Sequence, residues 1–304
     1  MDFLTDFQLD LLCHAIGLPR ECRIEVCRFR RSPAFDTLLP KASPLLEELF
    51  NPATWDRALA DLKALLGDDP QGMKILTLML VCCGETWNLY DSLGISSEIY
   101  IATLKCFPRF IEEHFESYGT YGFDRDFWTM REISGHLFRL GTLEFELTVE
   151  DGAKAVHIHI PSDADLSCRA RRSSYTAART FISRFFPAYA DAPFLCTSWL
   201  LSPALKECLP ESSRILSFQS EYEVTEVFPD HDQFLTWVYK RPNIPLADLP
   251  EDTSLQRNLK KYLLAGRKVG EAAGRLLPCA FRSEREITIP GSGEIQNFIF
   301  GQRD

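Results

Sequence analysis

The sequence has no C-x-x-C pair among its ten cysteines, no long apolar run and no excess of positive charge. The cysteine spacings therefore support neither disulfides nor a metal site. We expect most of the cysteines to be small core residues of a reduced intracellular protein. The longest apolar stretch, residues 75–83, is too short to span a bilayer. A net charge of −10 argues against general nucleic-acid binding. The acidic start at Met1-Asp2 lacks the positive region of a signal peptide, which predicts a cytoplasmic protein without membrane contact.

The length allows two domains or one large elaborated domain, and the apolar content predicts packed cores. The chain has 304 residues, of which 45% are hydrophobic and 22 are phenylalanine, which is ample for large cores. Residues 1–125 have mostly helical patterns, beginning with a capping box at Thr5-Asp-Phe-Gln8. Helices are expected over residues 73–90 and 97–118, the second with a kink or an early break at Pro108. Residues 126–304 are predicted to form the second domain.

The second part has the pattern of an α/β mixed sheet. Three consecutive strands are expected at residues 137–140, 143–149 and 155–160, with turns at Gly141 and Asp151-Gly152. A helix over 173–186, a strand over 194–201, a strand-like stretch over 214–228, helices over 230–239 and 253–268, and a strand near 275–277 follow. This order predicts an antiparallel meander continued by helical crossovers. After residue 282 the sequence fits either a hairpin (286–289 with 295–300) or a loose tail.

Residues 155–173, which are predicted to form a strand, a loop and the start of a helix, contain the main candidates for catalysis and ligand binding. His157 and His159 alternate with apolar residues and therefore share one face of a strand, which Pro161 ends. The sixteen residues 169–184 contain five arginines and no Asp or Glu, so their charge of +5 opposes that of the chain. Backbone N–H groups and guanidinium groups together favour an anion such as a pyrophosphate. A solvated helix face is the plainer interpretation.

Several segments in this order resemble a bacterial acyltransferase-like family with an N-terminal helical domain and a C-terminal GNAT-like domain. The matching segments are His157-Ile-His-Ile-Pro161, Cys196-Thr-Ser-Trp-Leu-Leu201, Ser212-Ser-Arg-Ile215 and Leu249-Pro-Glu-Asp-Thr-Ser-Leu-Gln-Arg257. They extend over roughly residues 120–277. GNAT proteins transfer an acyl group from coenzyme A to an amine. The resemblance implies a GNAT-like mixed sheet that binds acetyl-CoA or another acyl-CoA, with acetyl transfer expected.

The resemblance also implies where the donor binds. In the GNAT plan the fourth strand splays from the fifth, acyl-CoA lies in the gap, and the pyrophosphate sits on the N–H groups at the next helix start. Here these parts correspond to residues 155–160, 194–201 and the loop 162–173. The expected donor-binding residues are Ser162, Arg169, Arg171, Arg172, Ser173, Ser174, Ser198 and Trp199. Arg169 and Arg172 can share a helix face, whereas Arg171 and Arg172 diverge by about 100°.

Two family features are missing from this sequence. The glycine-rich phosphate loop has no counterpart, since no glycine lies between Gly152 and Gly266. The tyrosine expected after the fifth strand is also absent, because residues 203–213 contain none. Both departures favour a rival hypothesis, a non-catalytic module that binds a CoA-type ligand or a protein partner.

His159 is the predicted general base, with His157 as the second choice. An imidazole with a near-neutral pKa on the strand that lines the cleft could take the proton of an ammonium nucleophile. The acceptor would be a small-molecule or peptide amine. Two strand histidines at i and i+2 could instead bind a metal with a third ligand from elsewhere, for which Asp163, Asp165 or His231 are available. This metal-dependent enzyme is the third hypothesis.

Overall fold

The computed structural model describes residues 1–150, 152–240 and 244–281. Contacts divide the chain into two units between Arg139 and Leu140. The helices of the first unit are α1 (Asp6–Ile16), α2 (Arg20–Arg30), α3 (Pro33–Glu48), α4 (Trp55–Leu66), α5 (Met73–Val81), α6 (Cys83–Leu93), α7 (Ser97–Leu104), α8 (Cys106–Tyr118) and α9 (Asp126–Ile133). In the part of the chain so described, no helix is both long enough and apolar enough to cross a bilayer.

The predicted capping box is present, but two predicted long helices are each divided. The Thr5 side chain accepts the Gln8 N–H while the Gln8 side chain accepts the Thr5 N–H. The helix predicted over 73–90 breaks at Cys82. The helix predicted over 97–118 breaks at Lys105, which places Pro108 in the first turn of α8. A proline there costs no helical hydrogen bond, since first-turn N–H groups have no partner within the helix.

The second unit contains a mixed sheet with helices. Its strands, with β1 at the division, are β1 (Leu137–Leu140), β2 (Leu143–Glu150), β3 (Ala153–His159), β4 (Phe194–Ser198), β5 (Tyr222–Phe228) and β6 (Glu271–Leu276). The order across the sheet is β1-β2-β3-β4-β6-β5. β2 and β3 are antiparallel, β3 and β4 are parallel, and β6 is antiparallel to both neighbours. The predicted meander followed by a crossover is confirmed.

The helices of this unit are α10 (Cys168–Phe185), α11 (Leu205–Cys208), α12 (Arg214–Gln219), α13 (Phe234–Tyr239) and α14 (Ser254–Leu264). Two sequence expectations were wrong here. The helix predicted from residue 173 begins at Cys168, because Ser167 caps it. The strand-like stretch 214–228 contains α12 before β5, because the Ser213 side chain accepts the Ile215 N–H and starts a helix. The hairpin or tail expected after residue 282 lies outside the described residues.

Alternation along the strands separates an apolar face from a polar one. Phe145 and Leu147 of β2 and Val156 and Ile158 of β3 are buried. The buried stripe of α10 contributes Tyr175, Ala178, Phe181 and Ile182 to the core of this unit. The opposite face of the same strands carries glutamates and the two histidines. The apolar packing therefore fixes which way the histidines point.

Candidate active site

The parallel strands β3 and β4 separate soon after they meet. Their register in the described structure consists of Val156↔Phe194 and His157↔Leu195, and the Val156 N–H donates to the Pro193 carbonyl at 3.0 Å. Beyond these positions β4 continues to pair with β6 as far as Ser198. A gap therefore opens toward the carboxyl ends of β3 and β4. Backbone groups that line such a gap can bond an extended ligand.

Each histidine of β3 lies against a glutamate of β2. The hairpin register sets Glu146 opposite His157 and Glu144 opposite His159. His159 Nε2 lies 2.7 Å from Glu146 Oε2, and His157 Nε2 lies 2.6 Å from Glu150 Oε1. The His159–Glu146 pair is the less exposed, at 21% and 11% against 18% and 52% for the other pair. A carboxylate stabilises the protonated imidazole, as a general base requires.

Glu146 is the functional candidate that sequence reasoning missed. Across the described residues, no three His, Cys, Asp or Glu side chains are arranged to hold a metal ion. His157 lies against Glu150, and His159 lies against Glu146. This geometry resembles an acid–base arrangement more closely than a three-ligand metal site.

The loop that follows β3 ends sooner than expected. The Ser167 side chain accepts the Ala170 N–H and so starts α10 at Cys168. The Asp165 carboxylate accepts the backbone N–H of Ser167 at 2.8 Å and its hydroxyl at 2.9 Å. These two bonds lower the pKa of Asp165. The predicted loop over 162–173 is therefore corrected to about residues 160–167, and Ser173 lies inside the helix.

The three predicted arginines have different surroundings on α10. Arg169 is exposed and Arg172 half-buried, and their spacing of three residues places them on one side of the helix. The Nε atom of Arg172 has no hydrogen-bond partner among the described residues. Arg171 is fully buried and donates to both carboxylate oxygens of Glu221 at 2.9 Å. Arg169 and Arg172 can therefore reach a ligand that Arg171 cannot.

The serines divide in a similar way. Ser162 is exposed in the loop after β3, near the opening of the gap. Ser174 is fully buried, and its hydroxyl oxygen accepts the Thr142 N–H at 2.7 Å. Gly141 is required beside it, since a Cβ there would lie 2.5 Å from the same oxygen and its φ is +74°. Ser174 thus joins α10 to the turn after β1. Ser174 and Arg171 are both fully buried, so neither is available to contact a donor.

The strand predicted over 194–201 ends at Ser198. The Ser198 hydroxyl oxygen accepts the Leu200 N–H at 3.1 Å and starts a short 3₁₀ helix, Trp199–Leu201. Trp199 is half-buried and packs against an apolar cluster that includes Leu205, Phe234 and Leu259. Ser198 therefore ends β4, and Trp199 follows it and packs on that cluster. Cys196 of β4 is buried, which raises its thiol pKa and makes it a poor nucleophile.

Comparisons with known proteins match both parts of the chain. A family model described as the N-acyltransferase N-terminal domain matches residues 7–135. A model described as the GNAT-like C-terminal domain matches residues 137–276. A comparison with curated proteins gave no match.

Solved structures of acyltransferases have a similar fold. An acyltransferase in complex with decanoyl-CoA and teicoplanin is 24% identical with a TM-score of 0.75, over 88% of this chain and 87% of that one. An acyltransferase in complex with decanoyl-CoA is 25% identical with a TM-score of 0.74, over 87% and 86%. An acyltransferase mutant in complex with octanoyl-CoA is 25% identical with a TM-score of 0.73, over 87% and 86%.

Proposed function

Because this chain belongs to an acyltransferase-like family that joins an N-acyltransferase N-terminal domain to a GNAT-like C-terminal domain, we propose that it transfers an acyl group from acyl-CoA to an amine. One observation carries the proposal: β3 and β4 diverge beside the His159–Glu146 pair. A thioester bound in this gap would lie next to a base with a carboxylate partner.

The donor is held by the gap and by the start of α10. The pantetheine amides bond the backbone of β3 and β4 beyond their two paired positions. The exposed Ser162 and the guanidinium groups of Arg169 and Arg172 contact the phosphates. Ser198 and Trp199 line the acyl end. Acetyl-CoA is the expected donor from the sequence, and we extend the proposal to longer acyl-CoAs because the structural neighbours hold octanoyl-CoA and decanoyl-CoA.

The chemistry is direct attack of the amine on the thioester carbonyl. A C–N bond forms, the C–S bond breaks, and coenzyme A leaves as a thiolate. His159 takes the proton of the attacking nitrogen, directly or through water, while Glu146 stabilises the resulting imidazolium. Backbone N–H groups of the gap polarise the carbonyl oxygen. The proton on His159 then returns to the thiolate or to solvent.

The acceptor is a small-molecule or peptide amine. A structural neighbour was solved with teicoplanin and decanoyl-CoA together, so a bulky small molecule is one acceptor class to screen. Glu144, Glu146 and Glu150 share the face of β2 that contacts the histidines, and their carboxylates favour a cationic amine. We place the reaction in the cytoplasm, in keeping with the sequence expectation.

Calorimetric titration with acetyl-CoA, decanoyl-CoA and ATP tests the donor site. We expect micromolar binding of at least one acyl-CoA and weak binding of ATP. Arg172→Ala should weaken acyl-CoA binding by about tenfold to a hundredfold, as expected for a lost charge-assisted contact. Arg184→Ala, an exposed arginine near the other end of α10, is the matched control and should leave the affinity unchanged.

A turnover assay with an amine panel separates the three hypotheses. Release of free thiol that depends on the amine supports the acyltransferase. Tight acyl-CoA binding without turnover on any amine favours the non-catalytic module, which the missing glycine loop and tyrosine also favour. Stoichiometric metal in the purified protein, with turnover lost on chelation, would instead favour the metal-dependent enzyme.

A further inference from the structure

The loop after β3 is held in place without glycine. Residues 160–167 contain none, and Lys240 is the one non-glycine residue with a positive φ in the described ranges. The loop therefore uses only conformations that ordinary residues adopt. A glycine-rich loop gains its shape from backbone freedom, so this one needs contacts with its surroundings to fix it.

One such contact comes from Arg171. Its Nη1 donates to the carbonyl of Leu166, the residue before the α10 cap. Its Nε and Nη2 donate to the two carboxylate oxygens of Glu221, each at 2.9 Å, and Nη2 also donates to Ser217 Oγ at 3.1 Å. Ser217 belongs to α12, and Glu221 lies between α12 and β5. The arginine therefore ties the loop to α12 and to the residue that precedes β5.

Glu221 is fixed in turn by a second group. The Tyr175 hydroxyl donates to Glu221 Oε2 at 3.1 Å and lies 3.3 Å from the Tyr222 hydroxyl. Burial, together with the Glu221 charge, raises the pKa of Tyr175 above its ordinary range, so it stays a protonated donor. Both charged side chains are buried, at 0% for Arg171 and 7% for Glu221. A buried bidentate pair with all of these bonds has one well-defined geometry.

The opposite side of the loop has a contact of its own. The Asp165 N–H donates to Thr142 Oγ1 at 2.5 Å, and the Thr142 N–H donates to Ser174. The loop is thus bonded to the turn after β1 on one side and to Arg171 on the other. The exposed Arg169 and the half-buried Arg172 flank Arg171 on the same helical turn. Their orientation depends on how that turn is held.

We propose that Arg171 and Glu221 form a positioning pair that preorganises the loop and the first turn of α10 for acyl-CoA, in place of a glycine-rich loop. The inference rests on the proposed function, since it assigns the donor to this loop. Neither residue touches the ligand. Their loss should weaken donor binding by loosening the loop while the chemistry at His159 is kept.

The decisive variant is the double substitution Arg171→Met with Glu221→Gln. It removes both buried charges together at similar volume, which avoids leaving one of them unpaired. Glutamine keeps an acceptor for the Tyr175 hydroxyl. We expect a folded protein whose Kd and KM for acyl-CoA rise roughly tenfold or more while kcat at saturating donor stays within about twofold. Tyr239→Phe is the control, because it removes a buried hydroxyl bonded to the Gln256 carbonyl in a different part of the unit.

Hydrogen exchange on the ligand-free protein provides a second readout. The amides of residues 162–171 should exchange faster in the double variant than in the wild type and in Tyr239→Phe. Unchanged exchange there, or an unchanged Kd in a folded double variant, would show that the pair serves stability alone. If the double variant does not fold, Arg171→Lys is measured in its place. Lysine keeps the positive charge but cannot donate to both carboxylate oxygens in the geometry of a guanidinium.

Failure of the proposed function gives a different result. In that case the wild type itself binds no acyl-CoA, and the exchange data still report whether the pair holds the loop. Faster exchange without any donor binding would overturn the assignment to acyl-CoA and leave the tether itself established.

Discussion

The two edges of β3 differ in how many of their positions are paired with the neighbouring strand. On the β2 side the register continues from Glu150↔Ala153 to Glu144↔His159, over the whole length of the strand. On the β4 side it consists of two positions in the described structure. The first edge fixes the strand and its histidines. The second edge is where the proposed donor lies.

This difference shows how one strand provides both halves of a site. The histidine side chains receive their carboxylates from the fully paired neighbour, so their geometry does not depend on the gap. Under the proposed function, the base on the fully paired edge lies beside the donor on the other edge, as acyl transfer by direct attack requires.

The largest expected effect concerns the fully paired edge. His159→Gln should lower kcat for acyl transfer by about two to four orders of magnitude while acyl-CoA binding persists, since it removes the proposed base. Glu146→Gln should lower kcat by less, and His157→Gln by less again. The measurement is steady-state release of free thiol.

His231→Gln is the matched control for this series. His231 also contacts a glutamate, with Nδ1 2.5 Å from Glu271 Oε1, but on β6, which β4 separates from β3 in the sheet. Its loss should leave kcat unchanged. A similar loss of turnover in both histidine variants would contradict the assignment of the base to β3.

The next prediction compares two positions of β4, one paired with β3 and one beyond that pairing. Phe194, opposite Val156, is buried with Phe145, Arg179 and Phe281 around its ring. Phe194→Ala should lower the free energy of unfolding by about 3–5 kcal/mol, as expected for a large core truncation. Thr197→Ala, at an exposed position beyond the pairing, should change it by no more than about 0.5 kcal/mol. Urea denaturation measures both, and equal losses would contradict the burial of Phe194 and the exposure of Thr197.

A smaller effect is expected on the alkylation rate of a cysteine beside the gap when acyl-CoA is bound. Cys168, at the first position of α10, and Cys279 are exposed, whereas most of the other thiols are buried. Acyl-CoA at ten times its Kd should slow alkylation of Cys168 roughly tenfold, because the alkylation rate follows the fraction of protein without bound ligand. Cys279 serves as the internal control and should react at the same rate throughout. Protection of neither thiol would place the donor away from α10.

The smallest expected effect is a pH dependence of stability that comes from Asp165, in the loop after β3. The bonds from Ser167 lower the pKa of Asp165 in the folded protein, so its contribution to stability is present above the ordinary carboxyl value of about 3.9. That contribution is lost as the pH falls through the lowered value. Asp165→Asn should therefore melt slightly below the wild type at pH 5–7, and the difference should vanish in acid. A difference that grows toward low pH would contradict this sign.

The strand part of the fold could be predicted because its signals are local. Alternating residues and the Asp151-Gly152 turn locate β2 and β3. The register follows, since pairing Glu150 with Ala153 places Glu146 opposite His157, and the Glu146 carboxylate contacts His159. The glutamate partner was thus within reach of the sequence. It is 13 residues from His159 along the chain, so the contact follows from the hairpin and not from short sequence spacing.

The start of α10 could not be predicted because several residues compete to cap it. Asp165, Ser167 and Ser173 all have side chains that accept helical N–H groups, and local chemistry does not choose among them. The role of Arg171 was hidden for a different reason. Its partner Glu221 lies 50 residues further along the chain, and a contact of that separation is set by the packing of α10 and α12 on the sheet.

The short register between β3 and β4 also has a thermodynamic consequence. Under the proposed function, acyl-CoA completes hydrogen bonds that the sheet itself leaves open, so the donor acts as an additional strand. Ligand binding is then linked to folding, and a hundredfold excess of donor over its Kd raises the apparent stability by about 2.7 kcal/mol. Preparations that retain different amounts of bound acyl-CoA will unfold at different temperatures. A melting temperature for this protein therefore has a defined meaning only when the free acyl-CoA concentration is stated with it.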